Sequence, residues 1–192
     1  MDFIFYLASS CLLLFMLLAT YDGFYLHIFK YELFNRNESF FEHQTHTIRA
    51  LLFPLIVWLL FINDTSFIGF LIGIALVVLD LIVLGIDAYS EKESRSFMGG
   101  LPKWEYIIRL FSNTFHFAAI VLVLALKLGV SESSLTFITN TATSPAKDLF
   151  LFISVNVLPG AVILALLRFF TDGQKTTIGF EHLSASHNML LR

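Results

Sequence analysis

The chain has 192 residues, is 57% hydrophobic and only 14% charged, and has a mean hydropathy of +0.77; a soluble domain carries about 25% charged residues. That excludes a soluble globular domain. Twelve basic against fifteen acidic residues give a net charge of −3, with no basic block interleaved with aromatics to follow a phosphate backbone, so nucleic acid is not an expected partner. The single cysteine, Cys11, lies in an apolar run, which excludes an intrachain disulfide and a cysteine-based zinc knuckle.

Five apolar stretches are long enough to cross a hydrocarbon core of about 30 Å, which takes roughly 20 helical residues. The first, Phe3 to Thr20, carries Asp2 and lacks the basic start and A-x-A pattern of a secretory signal, so it reads as a retained helix. Its continuation, Tyr21 to Phe34, is apolar but dotted with Asp22, His27, Lys30 and Glu32, which suits a helix running on into the interface. Thr47 to Ile62 and Phe67 to Ala88 are separated only by Asn63-Asp64-Thr65-Ser66, a tight turn in which Thr65 or Ser66 can cap the next helix. These two therefore form an antiparallel hairpin, and Pro54 is expected to bend its first arm. The loop Ser90 to Lys103 leads to Tyr106 to Leu126, and the loop Ser131 to Lys147 to Leu149 to Phe170.

The fold class is thus all-α, a polytopic integral membrane protein with five transmembrane helices. One bundle domain covers residues 1–192, with helices at about 3–30, 42–62, 66–91, 104–127 and 148–170 and a polar tail at 171–192. Five crossings place Lys30, Arg36, Arg49, Lys92, Arg95, Lys103, Arg109, Arg168, Lys175 and Arg192 on one side and only Lys127 and Lys147 on the other. Cationic loops stay cytoplasmic, so the N-terminus is expected outside and the C-terminus inside a cytoplasmic (inner) membrane.

All six histidines and most acids then gather at the cytoplasmic side. At about 100° per residue, Glu42, His46 and Arg49 share one face of the second helix; Asp80, Asp87 and Glu91 share one of the third; Glu105, Arg109 and His116 share one of the fourth. Each helix is otherwise apolar, so these stripes must face the bundle interior. With a rise of about 1.5 Å per residue, the hairpin geometry sets Asp87 level with Arg109 and Glu42, and Asp80 level with His116 and Arg49, near the bilayer centre. Arg49, Asp80 and Arg109 are therefore read as buried ion-pair or relay residues.

Glu42, His43, His46, Asp87, Glu91, Glu105 and His116 are the candidate metal ligands. A carboxylate and an imidazole one turn apart offer O and N donors to one ion, as the Glu-x-x-His motifs of di-iron bundles do. Here the spacing is Glu-x-x-x-His, and Arg109 stands where a second histidine would be wanted. The expected cofactor is a transition metal, iron or zinc, with lipid and a lipid-soluble substrate as partners. The competing reading is a proton- or ion-coupled carrier, or a subunit of one, using Asp80 and His116, and a third is a non-catalytic assembly protein with a structural polar core.

Overall fold

A computed structural model describes the backbone of residues 1–130, 135–139 and 143–190, and their side chains except those of Phe34, Glu91, Met98, Val130, Leu135 and residues 171–190. Five long helices dominate: α1 (Asp2–Thr20), α2 (Phe40–Ile56), α3 (Phe67–Ser94), α4 (Lys103–Lys127) and α5 (Pro145–Leu190). Two of them widen into π-helix, α1 over Tyr21–Lys30 and α2 over Val57–Ile62, the second just beyond Pro54. Asp2–Lys30, Phe40–Ile62, Phe67–Ser90, Lys103–Lys127 and Pro145–Phe170 are each long and apolar enough to cross a membrane.

Two features differ from the sequence reading. The helical backbone of α5 runs through Leu190, beyond the apolar stretch that ends at Phe170. The chain is also not wholly helical: β1 (Leu128–Val130) and β2 (Leu135–Phe137) pair antiparallel, with Leu128 opposite Phe137. The β-branched and aromatic side chains of Thr136 and Phe137 favour that pleated surface.

The helices are patterned inside out. On α3 the inward face carries Phe70, Val77, Asp80, Val83 and Asp87, while Ile68, Leu71, Ile72, Leu79, Ile82 and Ile86 are exposed. That pattern suits a helix whose outer face meets hydrocarbon, where apolar side chains lose nothing and carboxylates turn inward. α1 packs against α4 and α5, and α2 against α3 and α5. Phe5, Leu12, Phe61, Phe70, Val123 and Phe150 form an apolar core in one half of the bundle, with the rings of Phe5 and Phe61 each 5.7 Å from that of Phe150. The other half is filled by polar side chains.

The apolar end is stitched by the α2–α3 turn. Asn63 Oδ1 accepts from the N–H groups of Thr65 and Ser66, and Ser66 Oγ accepts from the Gly69 N–H at 3.0 Å, so Ser66 caps α3. Asp64 takes both of the cations assigned to this end, Lys127 at 3.1 Å and Lys147 at 2.9 Å. Close packing of the hairpin depends on Gly73, where an added Cβ would lie 2.5 Å from Leu60 Cδ2. Gly73→Ala is therefore expected to lower stability by about 1–3 kcal/mol through overpacking, measured by unfolding of the purified protein in detergent. An unchanged midpoint would mean that Leu60 yields without cost.

Candidate functional site

The polar half surrounds a cavity offering about 110 Å³ to the centres of water molecules. Each of the five helices lines it with residues seven positions apart: Phe15 and Asp22, His46 and Phe53, Asp80 and Asp87, Arg109 and His116, Ala161 and Arg168. Seven residues rise about 10 Å along an α-helix, so the chamber is two turns deep. Asp22, His46, Asp87, Arg109 and Arg168 ring one end. Phe15, Phe53, Asp80, His116 and Ala161 ring the other.

The charged end is a connected network. Glu42 is fully buried; its Oε2 accepts from Ser94 Oγ and from Arg95 Nη1 at 3.1 Å, and its Oε1 accepts from Arg109 Nη2. Arg95 Nη2 donates to Glu105 Oε1 at 2.6 Å, and Arg109 Nη2 to the same oxygen at 3.2 Å. His27 lies among three guanidinium groups: Arg109 Nη2 is 2.8 Å and Arg95 Nη2 3.3 Å from its Nε2, and Arg168 Nη2 is 3.4 Å from its Nδ1. Arginine can only donate, so the Nε2 lone pair of His27 is committed to Arg109. Arg168 also donates to the Gly23 carbonyl at 2.6 Å, an approach open because a Cβ on Gly23 would meet Arg168 Nη2 at 2.7 Å.

His46 stands differently. Its Nε2 is 3.3 Å from Asp87 Oδ2 and 3.8 Å from Glu42 Oε1, yet it makes no hydrogen bond. Thr45 Oγ1 donates to the other oxygen, Asp87 Oδ1, at 2.5 Å and fixes that carboxylate. Among the described residues, two sets of three ligand atoms lie within 4.8 Å of one another: Glu42, His46 and Asp87, and Asp22, His27 and His46. An imidazole nitrogen has one lone pair and a carboxylate oxygen has two, so Glu42 can keep Arg109 and still bind an ion, whereas His27 cannot. The first set is the better metal site.

The deep end is smaller. Arg49 Nε donates to Asp80 Oδ1 at 2.9 Å and Arg49 Nη2 to Asn113 Oδ1 at 3.0 Å. Asp80 Oδ2 faces His116 Nε2 at 3.3 Å. Phe15, Phe53 and Phe117 box the imidazole, with ring centroids 4.6, 5.6 and 4.9 Å away.

Of the residues singled out in the sequence, Glu42, His46 and Asp87 come together. Arg49, Asp80 and His116 form the deep group instead. Arg109 Nη2 meets Glu42, one of the two carboxylates set at its depth, together with Glu105 and His27. Glu105 pairs with Arg95 and Arg109 and belongs to neither metal-capable set, and neither does the buried His43, which leaves α2 about 100° round from Glu42. The side chains of Glu91, His182 and His187 lie outside the described ones.

Sequence reasoning missed four participants: Asp22, His27, Arg95 and Arg168. Five residues of α-helix separate two side chains by about 140°, which put Asp22 and His27 on different faces. The π-helix has i→i+5 turns, one residue wider, and returns the fifth residue nearly above the first, so His27 Nε2 comes to 3.7 Å from Asp22 Oδ2. The available signal for Arg168 was a lone cation inside an apolar run.

No known family, curated protein or solved structure matches this chain. What it does must be read from the chamber.

Proposed function

We propose that the protein spans the membrane five times with the charged end of the chamber toward the cytoplasm, and binds one divalent transition metal through Glu42, His46 and Asp87. The observation that carries this reading is His46 Nε2, a buried nitrogen without a hydrogen bond, 3.3 Å and 3.8 Å from two carboxylate oxygens. Neither approach makes a hydrogen bond. The two separations suit neighbouring ligands around an ion with bonds of about 2.0–2.2 Å, whose ligand atoms sit roughly 3.4 Å apart.

Charge supports it further. Among the described side chains of the charged end, Asp22, Glu42, Asp87 and Glu105 face Arg95, Arg109 and Arg168, one negative charge in excess with both imidazoles neutral. A divalent ion turns that into one positive charge, which one bound hydroxide or one anionic substrate group cancels. Three protein ligands leave coordination positions open, the arrangement of a catalytic and not a structural site. His46 and Asp87 also line the chamber, beside the apolar wall of Met16, Ala19, Ala50 and Leu164. When bound, the metal supplies a Lewis acid and an activated water or dioxygen. The chain's own residues hold the ion and give a lipid-soluble substrate an apolar wall against which to orient. We identify the substrate by that chemistry alone.

Metal titration of the apoprotein tests the proposal. The wild type should bind one equivalent of Zn²⁺ or Fe²⁺, and His46→Ala and Asp87→Asn should each weaken binding by at least about 100-fold. His43→Ala, one residue away, should bind like the wild type. Equal loss in all three variants, or no binding by the wild type, would rule the site out.

A further inference from the structure

The geometry points to Asp80 and His116 as a buried proton station at the deep end of the chamber, exchanging protons with water admitted from the charged end. The pair sits two helical turns, about 10 Å, below the ring of charged residues. Its side chains are only 3% and 4% exposed. Asp80 Oδ2 and His116 Nε2 face one another at 3.3 Å, and neither atom has a hydrogen-bond partner among the described residues. A carboxylate only accepts, so the ring proton belongs on the nitrogen that faces it, Nε2, and Nδ1 is left as the basic nitrogen.

Three further features distinguish this pair from a structural ion pair. Arg49 already takes Asp80 Oδ1 at 2.9 Å, so the carboxylate stays anionic and can hold an imidazolium on its other oxygen. Among the described residues Arg49 is the one further charged group in contact with the pair, and Asn113 Oδ1 takes its second nitrogen. The phenylalanines that box His116 supply no polar atom to compete for it. Finally, both Asp80 and His116 line the chamber, and its space of about 110 Å³ compares with the roughly 10–15 Å³ that one water needs. Several waters therefore fit between the two ends, where the small side chains of Ala19 and Ala50 leave room.

The step is a proton transfer without electron movement. A hydronium in the chamber gives its proton to His116 Nδ1 and becomes water, while Asp80 holds the resulting imidazolium through Nε2–H. The proton leaves by the same route, or passes to whatever is bound in the chamber. This station is separate from the proposed metal ligands and stands whether or not a metal binds.

Ring N–H exchange tests it. Full-length protein labelled with ¹⁵N-histidine, stripped of metal by chelator and reconstituted in liposomes, is moved into D₂O. The His116 signal, assigned by its absence from His116→Gln, is followed by proton-detected solid-state NMR. The wild type should exchange within minutes, and Ala50→Leu, which fills the chamber wall, should slow exchange at least about tenfold. Ala19→Leu blocks the same space from α1 and replaces Ala50→Leu should that variant misfold. A His116 N–H that persists for hours in the wild type, or exchanges as fast in the filled variants, would overturn the station. Because the sample holds no metal, either result leaves the metal proposal to its own test.

Discussion

Arg95→Leu is expected to leave little or no stably folded protein. Arg95 is fully buried, donating to Glu42 at 3.1 Å and to Glu105 at 2.6 Å. Its loss leaves two buried carboxylates to share Arg109, and stranding one member of a buried ionic set costs about 3–5 kcal/mol. Adding Glu105→Gln removes the stranded charge and should recover part of the loss, read as the unfolding midpoint and yield in detergent. If the two substitutions are simply additive, Arg95 and Glu105 are not coupled and the network at the charged end is drawn wrongly.

The deep end gives the second large effect. Arg49→Leu and Asp80→Leu should each destabilise by about 3–5 kcal/mol, since each leaves its charged partner buried without a counter-charge. The double variant should be milder than the sum by about 1–3 kcal/mol. Recovery is partial because Arg49 also donates to Asn113 and Asp80 also faces His116. Strict additivity would contradict the 2.9 Å contact between α2 and α3.

Helix lengths and inward stripes were legible in the sequence because a bilayer punishes any other arrangement. Eighteen or more apolar residues with a single polar face have one place to go. The meeting of Arg49, Asp80 and His116 was legible for a simpler reason: antiparallel helices joined by short turns advance at the same rise, so residue counting from the turn gives depth. Depth counting does not give reach. It set Arg109 level with Asp87 and Glu42, and Glu42 takes its Nη2, but the long guanidinium also reaches Glu105, four residues earlier on α4, and His27. Nor could counting place Arg95, which lies in the segment between α3 and α4 yet is fully buried under the network.

Asp22 and His27 were hidden by an assumption of uniform α-helix. The wider turns of Tyr21–Lys30 bring them to one side, and no hydrophobic periodicity signals a ten-residue change of helix type. The short strands β1 and β2 were missed because three-residue strands are below what alternation can resolve.

The proposed function rests on one divalent ion held between Glu42, His46 and Asp87. X-ray absorption spectroscopy of the zinc-loaded protein reads that shell directly. The site described here predicts nitrogen and oxygen ligands at about 2.0–2.2 Å, one imidazole, and no sulfur. The same spectrum from Asp87→Asn should lose the site. Two or more imidazoles around the metal would place it at His27 and His46 instead, and a wild-type protein that retains no zinc after dialysis would contradict the claim outright.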